Sequence, residues 1–228
     1  MEDSRSAFEI LRAGDAEALR RLLGEDSAAA EARDANGVSL LMHSVYRGRR
    51  DLAELIAGKK KVLDIFEAAS LGRLDRMKEC LKENRLGESS AVNSYSIDSY
   101  SRDGLTALHF ACFFGQPAAA RLLIENGAAV DAVAANPTQV MPLHSAASAR
   151  NLEAARLLLE SGPTGMVNVR QQGGWVPIHA AAQNGDRAMV ELLLEHHADP
   201  RLANNDGKTP ALVAREKGHE ELAALLEL

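Results

Sequence analysis

Thr106-Ala107-Leu108-His109 is the first of three short phrases that recur along the chain; the others are Met141-Pro142-Leu143-His144 and Val176-Pro177-Ile178-His179. Their histidines are 35 residues apart in both steps, and each phrase opens a segment that runs into a leucine pair and then a turn. A fixed period between about 20 and about 50 residues is typical of architectures built from stacked repeats. The histidines are therefore first interpreted as repeated structural residues.

The position six residues after each histidine has equivalents both earlier and later in the chain, so the repeat continues in both directions. Gly115 follows His109 and Gly185 follows His179, while Arg150 occupies this place after His144. Aligned on this register position, the chain contains seven units with spacings of 34, 24, 43, 35, 35 and 33 residues. The seven register positions are Gly14, Gly48, Gly72, Gly115, Arg150, Gly185 and Gly218.

Each unit has the pattern of two helices followed by a turn. An Ala-rich first helix ends near the register position, where a glycine accepts the left-handed conformation. A second helix carries leucines at helical spacing, such as Leu122 with Leu123 and Leu192 with Leu193. Asn, Asp and Gly at the tips of the connections predict β-turns that project as fingers.

These features resemble the ankyrin-repeat family. The unit length and the Thr-Pro-Leu-His-x-Ala phrase are those of that family, and residues 122–131 and 192–200 match it further. The resemblance implies an all-α ankyrin-repeat solenoid of about seven stacked helix–turn–helix units with β-turn fingers, forming a single domain over residues 1–228. The units are approximately 4–33, 34–61, 62–100, 101–134, 135–169, 170–202 and 203–228.

Two spacings depart from the common period. The short spacing between Gly48 and Gly72 predicts that a finger is missing near residues 59–62, with the Lys59–Lys61 run leading into a helix over 62–71. The long spacing between Gly72 and Gly115 predicts an insertion over residues 85–103. Its polar composition indicates an enlarged, partly mobile loop.

Composition excludes several classes of function. The net charge of −6 argues against a nucleic acid as the main partner. Cys80 and Cys112 are too few and too far apart for a disulfide framework or a zinc site. The charged start has no signal-peptide pattern and no stretch is apolar enough to span a membrane, so we expect a cytoplasmic monomer without membrane contact.

No group of residues predicts catalysis. The ankyrin resemblance implies that His109, His144 and His179 hydrogen-bond between neighbouring units and perform no chemistry. Equivalent residues of packed helices lie about 8–10 Å apart, too far to share a zinc ion bound at about 2 Å. His109 and Cys112 share a helix face, but no orienting group or oxyanion site accompanies them. The chain is therefore predicted to be non-enzymatic and to bind no cofactor or metal.

The resemblance also implies where a partner binds. In ankyrin-like stacks the fingers and the exposed sides of the first helices form a concave groove, read by the residue after each finger glycine and the two residues before each register position. The candidate binding residues are Val38, Tyr46, Arg47, Leu105, Phe113, Phe114, Val140, Trp175, Gln183 and Asn184. Because exposed aromatic residues mark interaction sites, they predict an apolar groove for a protein or peptide, centred on units four to six.

Several alternatives stay open. Phe113 or Phe114 could pack beneath the insertion, and Trp175 could pack on a neighbouring finger. Lys59–Lys61 is either a patch for an acidic partner or a charged turn that complements a helix dipole. The protein could also be a regulatory or inhibitory subunit of an enzyme, or a secreted bacterial effector.

Overall fold

The structure, a computed structural model, describes residues 6–86 and 96–227, and for residues 84–86 it describes the backbone alone. These residues form fourteen α-helices and no β-strand. The helices are α1 Ala7–Ala13, α2 Ala16–Glu25, α3 Leu40–Tyr46, α4 Arg50–Ala57, α5 Ile65–Leu71, α6 Leu74–Leu86, α7 Ala107–Phe113, α8 Pro117–Glu125, α9 Pro142–Ser148, α10 Leu152–Ser161, α11 Pro177–Gln183, α12 Arg187–Glu195, α13 Pro210–Glu216 and α14 Glu220–Leu226. None of these described helices is long and apolar enough to cross a membrane.

The described helices form seven consecutive pairs, which confirms the all-α repeat fold. The first helix of every pair has seven residues. All seven register positions follow these helices with φ between 58° and 82°. This is the left-handed region, which glycine adopts without steric cost. Arg150, with φ of 58°, is the register residue that carries a side chain there.

Local capping determines where the helices begin. The Ser6 hydroxyl accepts the Glu9 backbone N–H at 3.3 Å, and the Glu9 carboxylate accepts the Ser6 N–H at 2.7 Å. This reciprocal arrangement satisfies two backbone donors that the first turn of a helix leaves unpaired. Proline opens α8, α9, α11 and α13, where its fixed φ suits the first helical position and its missing N–H has no cost.

The chain divides into two compact units, residues 1–67 and 68–228. In the first unit, α1 packs against α3 and α2 packs against α4. In the second unit, α7, α9, α11 and α13 pack in series, and α6, α8, α10 and α12 form the outer row. The buried residues are mainly alanine and leucine, and alanine lets neighbouring helices approach closely.

Fingers precede α3, α7, α9, α11 and α13. Each closes through a backbone hydrogen bond across its base, as from the Ser101 N–H to the Leu105 carbonyl at 2.9 Å. In the second unit, backbone bonds also join consecutive fingertips, and we call this series the finger ladder. Its bonds run from Ala135 N–H to Gly104 O at 2.8 Å, from Gln172 N–H to Thr138 O at 2.9 Å, and from Asn205 N–H to Gly173 O at 2.9 Å.

The helix predicted over residues 62–71 begins later, at Ile65, so that prediction is corrected. Asp64 caps the helix because its Oδ1 atom accepts the N–H groups of Phe66 and Glu67 at 3.0 and 2.9 Å. The Glu67 carboxylate accepts in turn from the Asp64 N–H at 3.2 Å. An acid or hydroxyl residue followed three places later by Glu is the signature of this cap, and it was present in the sequence.

Part of the predicted insertion, residues 87–95, lies outside the described residues. The end of the insertion, from residue 96, belongs to the finger that precedes α7. Asp98 accepts the Ala129 N–H at 2.8 Å, and the Tyr100 hydroxyl donates to the Val133 carbonyl at 2.8 Å. These contacts attach this part of the insertion to the following repeat.

Candidate partner-binding surfaces

The three repeated histidines connect neighbouring repeats of the second unit. In each, Nδ1 accepts the backbone N–H three residues earlier, at 3.2 to 3.3 Å. Nε2 contacts a carbonyl of the next repeat at 3.0 Å for His109–Val140, 3.0 Å for His144–Val169 and 3.1 Å for His179–Lys208. This pattern places the proton on Nε2 of a neutral imidazole.

Burial keeps these imidazoles neutral. It lowers the pKa of His109 and His144 to about 4, although their bonds to backbone carbonyls oppose the shift. Burial also lowers the pKa of His179. With both ring nitrogens used inside the stack, the side chains act as structural connectors.

The candidate pair of His109 and Cys112 lacks a reactive thiolate. Cys112 is buried, and this burial raises the pKa of its thiol, so the sulfur stays protonated at neutral pH. In residues 6–86 and 96–227, no three His, Cys, Asp or Glu side chains approach closely enough to hold a metal ion.

A second set of inter-repeat contacts, which the sequence reasoning missed, comes from three residues that each stand one place after a register position: Arg49, Gln116 and His219. The Arg49 guanidinium donates to the Gly14 carbonyl at 3.2 Å, and the side chains of Gln116 and His219 lie where a Cβ on Gly72 and Gly185 would stand. Glycine at these places therefore supplies both the positive φ and the space for the next repeat.

Arg150 departs from this glycine pattern together with its neighbour. The next repeat places Asp186 beside it, and the Arg150 Nε atom lies 3.4 Å from the Asp186 carboxylate. An ion pair thus stands where Gly14, Gly72 and Gly185 each have a side chain of the next repeat above them. The two substitutions are complementary across the repeat boundary.

We call five candidate residues of the second unit the apolar surface: Leu105, Phe113, Phe114, Val140 and Trp175. Phe113 is 51% exposed, and the other four are half-buried. The Phe113 ring meets Phe114 edge-on at 5.1 Å, and Phe114 stacks on buried Phe110 at 6.3 Å. Leu105, Val140 and Trp175 occupy equivalent places on consecutive fingers of the finger ladder.

Trp175 and the two remaining candidates of the second unit, Gln183 and Asn184, differ in their surroundings. The Trp175 ring packs at a tilt against the His179 ring of its own repeat, with ring centroids 5.3 Å apart. Gln183 is exposed. The Asn184 amide donates to the carbonyls of Ala147 and Ser148 at 3.3 and 3.1 Å, so it connects α11 to the end of α9. Its donor groups are used within the stack.

The candidates of the first unit divide by burial. The expected exposure of Val38 is wrong, because this residue is 8% exposed. Its N–H donates to the Asp34 carboxylate and its carbonyl accepts the Asp34 N–H, both at 2.9 Å, so the finger closes tightly around it. Tyr46, by contrast, is 42% exposed, and Arg47 is also exposed.

The lysine run is not a continuous surface patch. The Lys60 side chain is 1% exposed, and its Nζ atom lies 2.8 Å from Glu31 and 3.4 Å from Glu67. Burial raises the pKa of the Glu67 carboxyl, the charge of Asp64 adds to this rise, and Lys60 opposes it. Neither open interpretation of the run accounts for this internal ion pair.

Comparison with known proteins agrees with the repeat register. A family model described as ankyrin repeats (three copies) matches residues 65–168 and 164–227. A protein of Escherichia coli strain K12, named putative ankyrin repeat protein YahD, is 59% identical over 39 residues. That stretch is 17% of this chain and 19% of the relative, so the match spans less than a fifth of the relative's length.

Proposed function

The chain belongs to the ankyrin-repeat family, and on that premise we propose that it binds a protein or peptide partner through the apolar surface of its second unit. Ankyrin repeats are generally protein–protein interaction modules, and the family is generally non-enzymatic. The proposal adds a location, Leu105 to Trp175, and an apolar character to that general role.

Phe113 is the observation that carries this proposal. Its ring is half exposed at the end of α7, although the sequence has few aromatic residues. A ring of this kind has roughly 100 Å² left to bury, which contributes ~2.5 kcal/mol at about 25 cal/mol per Å². Aromatic anchors of this size commonly dominate protein interfaces.

The surroundings of the apolar surface are already ordered. The finger ladder fixes the residues after the fingertips, and His109 and His144 attach each first helix to the following repeat. A partner that binds such a frame loses little free energy in ordering it. This preorganisation should give tighter binding than a surface that must fold when the partner binds.

Affinity purification with mass spectrometry tests the proposal. The sequence alone suggests Phe114→Asp with Trp175→Asp, but Phe114 stacks on buried Phe110, and a charge there threatens the fold. Phe113→Asp is the sharper variant because its ring is exposed. We expect the variant to lose partners that the wild type captures, with unchanged helical content and melting temperature.

Leu212→Asp is the matched control. Leu212 is also an exposed apolar residue, in α13, but it lies at the place that holds histidine in α7, α9 and α11, away from the apolar surface. Its variant should retain the captured partners. Equal capture by wild type and Phe113→Asp would contradict the proposal.

The alternative that the protein is a regulatory or inhibitory subunit of an enzyme can be tested with the same captured partners and the same variant. If a captured partner is an enzyme, addition of the wild-type protein should reduce its activity, and Phe113→Asp should not. A captured partner with no change in activity favours simple recognition. Secretion assays in the source organism address the effector alternative.

A further inference from the structure

We infer that the first unit carries a separate binding surface that takes an acidic peptide segment. This basic helix-end surface consists of Arg12, Tyr46 and Arg47. It lies in residues 1–67, whereas the apolar surface lies in residues 68–228. The inference therefore stands or falls independently of the proposed function.

The three residues belong to the ends of two packed helices. Arg12 is in the last turn of α1, Tyr46 is the last residue of α3, and Arg47 is the residue that caps α3. α1 packs against α3, and such neighbours lie about 8–10 Å apart. The Arg49 bond to the Gly14 carbonyl, at 3.2 Å, holds the two helix ends together.

Several acidic side chains near these helix ends already have partners within the unit, and Glu9 and Asp15 cap the backbone N–H groups of Ser6 and Ala18. Asp51 accepts two hydrogen bonds from the Arg49 guanidinium, at 2.9 and 2.8 Å, and they lower the pKa of Asp51 to about 2. Asp34 contacts His43 Nε2 at 2.8 Å, which lowers the pKa of Asp34. The charge of Asp51 is thus compensated by Arg49, and Asp34 has a hydrogen-bond partner in its own unit.

Arg12 and Arg47 are left as uncompensated cations. Both are exposed, and neither makes an ion pair or a side-chain hydrogen bond with any residue in 6–86 or 96–227. Arg49, by contrast, donates to the Gly14 carbonyl at the end of α1 and is already engaged. The two charges therefore remain available to a ligand.

Tyr46 adds an exposed aromatic ring at the end of α3, next to Arg47 in the chain. Its side chain is 42% exposed, and on the same helix His43 meets the half-buried Phe8 ring at 5.2 Å. Tyr and Arg are the residue types most enriched among interface anchors, and a tyrosine combines an apolar ring with a polar tip. The surface thus suits a chain that carries carboxylates beside an apolar residue.

The spacing indicates the register of the bound segment. Guanidinium groups recognise carboxylates through paired hydrogen bonds. An extended peptide rises about 3.3 Å per residue, so carboxylates at i and i+3 are about 10 Å apart, which matches neighbouring helices. Asp or Glu at i and i+3, with an apolar residue between them, is the predicted motif.

Fluorescence anisotropy with the full chain and a labelled peptide tests this inference. The probe is an extended peptide of about ten residues with Glu at i and i+3 and Leu between them, and its reference peptide carries Gln at both places. We expect the Glu peptide to bind at least about tenfold more tightly than the Gln peptide in about 0.05 M salt, and to weaken in about 0.3 M salt.

Charge reversal locates the binding. The double variant Arg12→Glu with Arg47→Glu should bind the Glu peptide at least about tenfold more weakly than the wild type does. It should instead bind a peptide with Lys at the same two places. Arg20→Glu with Arg21→Glu changes the net charge equally on exposed residues of α2 and should leave binding within about twofold. The gain of Lys-peptide binding shows that the double variant is folded.

Three outcomes would overturn the inference. Equal weakening by both double variants would mean that net charge alone drives binding, and equal affinity for Glu and Gln peptides would remove the role of carboxylates. Phosphatidylserine vesicles that bind through Arg12 and Arg47, with no peptide binding, would assign the surface to lipid. Phe113→Asp should bind the Glu peptide as the wild type does, which separates this test from that of the apolar surface.

Discussion

Single residues join the repeats of the second unit. His144 illustrates the arrangement, because Nδ1 accepts the Met141 N–H and Nε2 contacts the Val169 carbonyl at 3.0 Å. A protonated ring would lose the acceptor at Nδ1, and burial makes its charge unfavourable. The connection therefore depends on the neutral form.

Acid is expected to weaken the fold through these histidines. The pKa of His144 is about 4 in the folded chain and about 6.5 when unfolded, so the unfolded state binds more protons between these values. The stabilisation of the fold by the neutral ring is complete above about pH 6.5 and is lost as the pH falls to about 4. For one such histidine, the free energy of unfolding decreases by ~1.4 kcal/mol per pH unit in this range. Urea unfolding across this range should show a shallower pH dependence for His144→Gln, and equal slopes would contradict the neutral connector.

Arg150 predicts a stabilising substitution. A side chain in the left-handed region costs ~1–2 kcal/mol, whereas an ion pair with one exposed partner, such as Arg150 with Asp186, contributes ~0–1 kcal/mol. Arg150→Gly should therefore raise the free energy of unfolding, by only ~0.5–1 kcal/mol since glycine also adds freedom to the unfolded chain. Arg150→Ala, which keeps the strain and loses the pair, should be less stable than wild type. A decrease for Arg150→Gly would show that the ion pair outweighs the strain.

The segment from α4 to α5 is a short connection that has no finger. It runs over residues 58–64, without the longer connection that precedes α3 at residues 26–39. The backbone places Lys60 inward between Glu31 and Glu67, and Asp64 starts the next helix. A buried ion pair thus stands where the other connections have a projecting finger.

Removal of the Lys60 charge is expected to be costly. Lys60→Met leaves the Glu67 carboxylate buried without its cation, which should lower the free energy of unfolding by ~3–5 kcal/mol. Lys60→Met with Glu67→Leu should recover most of this loss, because the buried carboxylate is removed with its cation and Glu31 is partly exposed to solvent. Exposed Lys59→Met is the control, and urea unfolding is the measurement. Equal stability of the Lys59 and Lys60 variants would contradict the buried pair.

On the scale of the whole molecule, each repeat of a stacked fold contacts mainly its neighbours. The structural effect of a destabilising substitution should therefore be confined to adjacent repeats. Gly104 has φ of 74°, and a Cβ there would stand 2.8 Å from the Ala135 carbonyl carbon. Gly104→Ala should therefore open the finger ladder at this point. Hydrogen exchange should accelerate in residues 96–140, while the amides of α13 and α14 keep their protection.

Gly115→Ala provides the comparison for this test. Gly115 has φ of 67°, but no atom lies within 4 Å of the place that a Cβ would take, so its change introduces backbone strain without a clash. It should accelerate exchange less than Gly104→Ala does. Uniform acceleration along the whole chain would show that the repeats unfold as one cooperative body.

The paired helices and their register could be read in advance because the signals are local. A glycine at positive φ, a proline at a helix start and a histidine that bonds to the next repeat recur at one period. Each depends on the conformation of a few consecutive residues, or on a neighbour that repetition places in the same way. The exposure of Tyr46, Phe113 and Gln183 followed from the same register.

Side-chain burial and pairing between distant residues depended on the tertiary structure. Val38 is buried where the register suggested exposure, Lys60 is paired inside, and Asn184 is bonded to another helix. Arg12 stands two residues before its register position, as Tyr46 does. Its uncompensated charge becomes evident only after the partners of Arg49 and His43 are known. Local sequence describes conformation, whereas burial and charge balance are sums over atoms that folding brings together from distant positions.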